Sequence, residues 1–436
     1  MAAPERVVKR VAVVGSGIAG LAAARRISSS ARVTLFEAGD WFGGHAHTVD
    51  VTLGGKTHGV DTGFLVFNER TYPQLIALFA ELGVATAPAE MSFSVQVPDA
   101  HLEWSGSNLD AVFAQRSNLA RPAFWRMLAE IVRFNRLTTA LAGDASTSGL
   151  AALDASIADF LVTHRFSAAF RDWYFLPMIG SIWSCPTDQM LRFPIATMIR
   201  FCHNHGLLQI TGRPRWHTVR GGARHYVAKM LEAIPDARLR TPVRRVRRRD
   251  GGGAEVVTDS GSQRFDAVIL ACHSDQSLAL LEAPTDDERG VLGAIRFQPN
   301  RAVLHTDSAL LPTRRKAWAA WNYVRSPDAG KERADVCLHY LLNRLQPLPF
   351  DEPVIVSLNP VREPAPGTVL SKFDYTHPVF DRAAIAAQAR LPSLQGHGGI
   401  WFCGAWTGYG FHEDGLVSGL AAGESAARAL GEASAA

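Results

Sequence analysis

A short apolar run at residues 11–14 ends in Gly15-Ser16-Gly17-Ile18-Ala19-Gly20. Helix-favouring residues follow at 21–27, and a second apolar run at 32–36 closes on Glu37 and Ala38. The pattern predicts strand, tight turn, helix, strand and a terminal acid. Much later, F-D-A-V-I-L-A at 265–271 reads as a buried strand. W-F-C-G at 401–404 reads as another, ahead of a loop and a helix rich in small residues. At 124–137 the period changes: Phe124, Leu128, Ile131, Val132 and Phe134 mix with Arg126, Arg133 and Arg136, with Arg121 just before. This predicts an amphipathic helix whose basic side is either solvated or laid on anionic lipid.

The first pattern has the parts of a dinucleotide-binding βαβ unit. Gly15 permits the tight turn, Gly17 leaves room for a pyrophosphate against the backbone, and Gly20 lets the helix pack closely on the strand. The helix start, Ile18 and Ala19, offers free N–H groups and a positive dipole end to phosphate. Glu37 stands 22 residues after Gly15, where a carboxylate accepts from ribose hydroxyls. An acid there disfavours a 2′-phosphate.

Beyond the acid come Gly43-Gly44-His45-Ala46-His47-Thr48 and Asp61-Thr62-Gly63-Phe64. With these the chain resembles the flavin-containing amine oxidase and phytoene desaturase superfamily. The resemblance implies FAD as cofactor, with Gly43, Gly44 and His45 along its phosphates and ribityl chain, and Thr62, Gly63 and Phe64 beside the flavin. His45 stands where an arginine is commoner. Gly221-Gly222-Ala223 and Thr241-Pro242-Val243 resemble the return to the FAD domain, with Val243 by the adenine and Ala271 ending the next strand. At the C-terminus, Gly404 and Gly410-Phe411-His412-Glu413 resemble a loop and helix start directed at the flavin, so Gly404, His412 and Glu413 are implied as contacts. Many relatives place an acid just after this glycine, where Ala405-Trp406 stand here.

The implied fold is α/β: a Rossmann-like FAD-binding domain (GR2-type) with a discontinuous α+β substrate domain, amine-oxidase-like. The expected FAD-binding domain is 1–70, 213–290 and 395–436, and the substrate domain is 71–212 and 291–394.

Composition narrows the setting. A net charge of +4 and one Arg-dense tract, 244–249, give no nucleic-acid signature, since the tract alternates like an exposed strand. Five dispersed cysteines suit a reducing compartment. The polar start at 1–9 does not read as a signal peptide, and the long uncharged stretch at 391–412 holds six glycines, so no membrane span is expected. The expectation is a cytoplasmic protein, at most peripheral on the inner face of a membrane. The last residues, 431–436, are expected to lack order.

The chemistry is less legible. Amine oxidases of the superfamily place a lysine near flavin N5; the corresponding strand, 300–307, has Arg301 and no lysine. An amine substrate is therefore disfavoured. His305 and His412 are candidate acid/base residues, and Phe411 is a candidate wall of the substrate site. His45-x-His47 and His203-x-His205 lack a third ligand at metal spacing, and no metal is expected. Phe170, Trp173, Tyr174, Phe175, Trp183, Trp318, Trp321 and Tyr323 pack a core or line an apolar tunnel. The combination G-G-H-A-H-T, Trp183-Ser184-Cys185-Pro186 and His305-Thr306-Asp307 resembles a bacterial branch associated with cyclopropane, methyl-branched or furan fatty acid formation. That implies desaturation of a fatty-acyl or lipid substrate. Amine or amino-acid oxidation, and a redox-inactive FAD-binding scaffold, are the alternatives.

Overall fold

Strand β1 (Arg10–Val14) runs through the middle of a parallel sheet, and its Val11, Ala12 and Val13 are sealed on both faces. Strands covered on both sides read as unbroken apolar runs, which is why 11–14 does not alternate. The computed structural model describes residues 8–143, 155–183, 186–209, 212–325 and 336–432; Ser184, Cys185 and the 433–436 tail lie outside them. The parallel sheet is completed by β2 (Arg32–Phe36), β10 (Asp236–Arg238), β14 (Ala267–Leu270) and β20 (Ile400–Phe402), in the order β10-β2-β1-β14-β20. On one face lie α1 (Ile18–Ile27), α2 (Pro73–Glu81) and the C-terminal helix (His412–Glu432). On the other lies an antiparallel ribbon of β11 (Val243–Arg248), β12 (Ala254–Thr258) and β13 (Gly261–Phe265).

A second, seven-stranded sheet has the order β19-β15-β18-β17-β16-β7-β8. Its strands are β7 (Phe93–Val97), β8 (Leu102–Ser105), β15 (Arg296–His305), β16 (Trp321–Val324), β17 (Cys337–Leu341), β18 (Ile355–Leu358) and β19 (Val369–Val379). Helices between 122 and 204, including α4 (Pro122–Gly143), share its core. Two small sheets connect the layers: the hairpin β3 (Thr48–Leu53) and β4 (Lys56–Asp61), and the trio β5 (Phe67–Asn68), β9 (Trp216–Val219) and β6 (Thr86–Ala89).

The packing redraws the expected domain borders. Tyr72, Leu75, Leu78 and Phe79, assigned by sequence to the substrate domain, share a core with α1. Val291, Leu292 and Ile295, with Ala384, Ala387, Leu391 and Leu394, close the opposite face of the parallel sheet. Conversely, Val51, Val60, Leu65 and Val66 belong to the core of the seven-stranded sheet. Motif positions locate contacts to a nucleotide, whereas a border depends on which core buries the apolar side chains between motifs.

Two other expectations resolve. The apolar stripe of α4 faces inward, with Phe124, Met127 and Phe134 fully buried, so it is not available to lipid. In β11, Arg244 pairs with Asp259, Arg247 with Glu255 and Glu282, and Arg248 with Glu288. No helix among the described residues is long and apolar enough to cross a membrane.

Candidate flavin site

The turn after β1 is shaped by the absence of side chains. Gly15 has φ +101°, and a Cβ there would lie 2.9 Å from the Ala271 carbonyl oxygen. A Cβ on Gly20 would lie 1.8 Å from the Gly15 carbonyl oxygen, so helix and turn touch. Gly17, in contrast, faces open space, with nothing within 4 Å of a Cβ. It is also the N-cap of α1, whose start has no side-chain cap. The first N–H groups of that helix, Ile18 and Ala19 included, are left for an external acceptor.

Glu37 organises the turn. One carboxylate oxygen accepts from the Ser16 N–H at 2.9 Å and the Ser16 hydroxyl at 2.5 Å, and the other from the Gly39 N–H at 2.7 Å. Gly43 N–H donates to the Ser16 carbonyl at 3.1 Å, and Gly44 lies against Gly17. The second glycine pair thus closes on the first. Ala38 follows Glu37 at the end of β2. Ala271 N–H donates to the Val14 carbonyl, and Val243 is buried in the core with Val14 and Phe36.

His45 and Phe64 continue the wall. Phe64 N–H donates to the His45 carbonyl at 2.7 Å, and Thr62 N–H to the His47 carbonyl at 2.9 Å. Gly63 allows this approach, since a Cβ would meet the His45 oxygen at 2.3 Å. Imidazoles gather here. His45 has its ring 5.0 Å from Tyr375 and 5.3 Å from His377. His47 stacks on Trp41 at 3.9 Å and meets Thr62 Oγ1 and Tyr375 Oη. His412 stacks on Phe64 at 3.8 Å and meets the Tyr226 hydroxyl at 2.5 Å. Burial holds His45 and His47 down to about 4, and His377 and His412 down to about 3. All four are neutral at pH 7.

Asp61, at the end of β4, ties the layers together. It accepts from Thr48 Oγ1, Ala223 N–H and Gln346 Nε2 at 2.6, 2.9 and 2.8 Å. Burial pushes its carboxyl up to about 7, against the pull of these donors.

The residues fit FAD. An open strip over Gly17, an uncapped helix start and a ribose-side acid suit its adenosine diphosphate half. His45 Nε2, buried and without a partner among the described residues, is a polar atom awaiting a ligand.

Two sequence-based assignments change. Glu413 turns away from the nucleotide: its two oxygens accept from the Gln74 and Leu75 N–H groups at 2.7 and 2.9 Å, capping α2. His305 sits at the far end of β15, opposite Val369, whereas His377 lies eight residues further along β19, roughly 26 Å at 3.3 Å per residue. There it is fully buried, with Nε2 2.6 Å from the Ser357 hydroxyl, which also meets His339. Arg301 reaches outward to Glu363. Phe411 stacks on Phe201 at 4.9 Å and borders a 370 Å³ cleft with Arg70, Tyr72, His205 and Tyr409. Gly404, with φ +156°, donates its N–H to Ser418 Oγ, and Trp406 buries its ring beneath it, donating to the Cys272 carbonyl.

Sequence reading missed Trp41, Tyr226, Tyr375 and His377. Only the alternation Phe373, Tyr375, His377 along one strand face hinted at a wall.

The model of the flavin containing amine oxidoreductase family matches residues 18–320. The carotenoid phi-ring synthase of Streptomyces griseus is 30% identical over 309 residues, 66% of this chain and 58% of that protein. A putative flavin-containing monoamine oxidase, AofH, of Mycobacterium tuberculosis is 28% identical over 269 residues, 60% of this chain and 56% of its own. The chain therefore spans less than three fifths of the curated relatives it matches. Cyclohexylamine oxidase from Brevibacterium oxydans superposes with a TM-score of 0.68 at 17% identity, covering 98% of this chain and 100% of that one. A CLA-producing fatty acid isomerase from P. acnes gives 0.65 at 15% identity, covering 95% and 97%. The fold is amine-oxidase-like, and with the family model matching most of its length, the chain belongs to the flavin containing amine oxidoreductase family.

Proposed function

We propose that this oxidoreductase desaturates an apolar chain, a fatty-acyl group free or in a phospholipid. The observation that carries the reading is the wall leading from His412 outward. Phe64, Phe411, Phe201 and Tyr409 present ring faces, and His412 and His205 between them are held neutral by burial, at about 3 and 4. The rings of this surface favour hydrocarbon. Of the charged groups that also line the cleft, Arg70, Glu413 and Asp414, the two carboxylates are held by the Gln74 and Leu75 N–H groups and by the Phe411 N–H. β15 carries no lysine, and its Arg301 is engaged by Glu363. The name of the 30% identical relative, a carotenoid synthase, agrees with an apolar substrate.

When bound, FAD supplies the two-electron acceptor for a hydride leaving the substrate carbon. The chain's part is to hold that carbon among the rings, exclude water and receive the accompanying proton. In this reading His412, paired with Tyr226, takes the proton as a weak base, since burial holds its imidazole at about 3, and passes it on at once. The membrane supplies the chain, and the protein meets it peripherally.

Similarity to AofH favours amine oxidation as the second reading. Anaerobic mixing separates them. Unsaturated or methyl-branched phospholipid should bleach the flavin absorbance of FAD-loaded protein, and simple amines should leave it unchanged. Bleaching by amines alone would replace the proposal with the second reading. No bleaching by either would make the protein a redox-inactive FAD scaffold.

A further inference from the structure

The inward turn of the apolar stripe of α4 leaves a different surface exposed beside it. Leu109, at the start of α3 (Leu109–Val112), is 79% exposed, and Leu119 and Trp125 are each 49% exposed. Large apolar side chains this open are uncommon singly and informative when contiguous. These are contiguous. Phe113, one turn after Leu109, has its ring 5.2 Å from Trp125, and Trp125 Nε1 donates to the Leu119 carbonyl at 2.9 Å. The indole N–H is thus satisfied within the chain, leaving the ring free to enter an apolar layer.

The charges around this cluster are one-sided. α4 exposes Arg126, Arg133 and Arg136, while its single acid, the buried Glu130, accepts from the Ser167 hydroxyl and N–H and also pairs with Arg126 at 3.2 Å and Arg133 at 3.9 Å, so the helix keeps a net positive charge. The exposed acid beside Leu109 is Asp110, which is shared by Arg116 and Lys316 at 2.6 and 2.8 Å, so that trio remains positive. Apolar and indole groups at the centre with guanidinium groups at the rim match a bilayer of anionic lipid, where rings enter the interface and arginines meet headgroups.

We propose that this face, centred on Leu109, Phe113, Leu119 and Trp125, docks the protein on an anionic membrane surface. The biological purpose rests on the acyl-lipid reading above; the docking itself does not. It differs from the mode suggested by sequence, in which α4 would lie on lipid through its own apolar stripe.

Vesicle flotation of the FAD-loaded protein tests it. Wild type should float with phosphatidylglycerol-containing vesicles and stay behind with pure phosphatidylcholine. Trp125→Glu combined with Leu109→Glu should lower the floated fraction at least tenfold, with flavin spectrum and melting temperature retained because both side chains are exposed. Arg126→Gln with Arg136→Gln should weaken binding to anionic vesicles several-fold. Trp125→Phe should keep flotation and lose the blue shift of tryptophan emission on vesicle binding. Wild type that does not float would overturn the proposal, as would a Trp125/Leu109 variant that floats equally well. A wild-type dimer that the same variant turns into a monomer, without vesicle binding by either, would assign the face to a second copy of the chain. Flavin bleaching by detergent-dispersed lipid reports on the oxidation reading independently of all these outcomes.

Discussion

At Gly17 and Gly20, three residues apart, the same substitution should have opposite consequences. A Cβ at Gly17 meets no protein atom, and its φ of −60° suits any residue, so Gly17→Val should fold. The added methyl groups fill the strip left for pyrophosphate, and the purified protein should be colourless. Gly20→Val drives a side chain into the Gly15 carbonyl and should prevent folding altogether. A yellow Gly17→Val protein would show that the cofactor does not cross this strip. Glu37→Gln removes a carboxylate that holds Ser16 and that we propose contacts the ribose. Losing charge-assisted hydrogen bonds costs about 1.5–3 kcal/mol, roughly tenfold to a hundredfold in FAD affinity measured by titration of apoprotein. Unchanged affinity would mean that Glu37 serves the turn alone. The shape of this turn was legible in the sequence because turn, helix and acid are close in the chain. The wall facing His45 was not, since Tyr375 and His377 arrive from a strand more than three hundred residues away. Glu413 shows a subtler limit: its place at a helix start was legible, but not the neighbouring helix that its carboxylate would cap.

The element that sets the position of His412 and Phe411 is the C-terminal helix, which is fixed by glycines facing α1. A Cβ on Gly415 would meet Ile18 at 2.8 Å, on Gly419 the Ala19 carbonyl at 2.1 Å, and on Gly423 the Ala23 carbonyl at 2.8 Å. The spacing of four keeps all three on one stripe, so the helices pack almost backbone to backbone. Gly419→Val should push the helices apart, displacing His412 from Phe64; loss of bound FAD together with a fall of several degrees in melting temperature is the expected result. Gly431→Ala in the same helix meets nothing within 4 Å and should be neutral or stabilising, by up to about 1 kcal/mol. Equal effects of the two substitutions would remove the close packing from the account. The small-residue run here was visible in the sequence, but its partner was not. The same holds for α4, whose periodicity gave the helix correctly and left open which medium faced its apolar side.

Across the whole molecule, buried neutral histidines link the fold to pH. His45, His47, His205, His273 and His305 are held at about 4, and His339, His377 and His412 at about 3, in each case chiefly by burial. In the unfolded chain the same rings take protons near 6.5. Between pH 6.5 and about 4 the unfolded chain therefore binds more protons, and stability falls as the solution is acidified. Three acids oppose the trend: burial raises Asp61 to about 7, Asp414 to about 6 and Glu413 above its ordinary value, so the folded state holds their protons above the unfolded range. Eight rings outweigh three carboxyls. If only two rings remained uncompensated, the slope would be about 2.7 kcal/mol per pH unit. The melting temperature of the FAD-loaded protein should thus be highest near neutral pH and drop steeply from pH 6.5 to 4.5, with flavin released in the same interval. Because the rings belong to both cores, the wall beside Phe64 and the network around Ser357 should be lost together, in one transition. A melting temperature that stays flat between pH 7 and 5 would mean that these imidazoles already reach water or carry protons in the fold. The wall proposed for an apolar chain would then lose the neutrality of its histidines, His205 and His412.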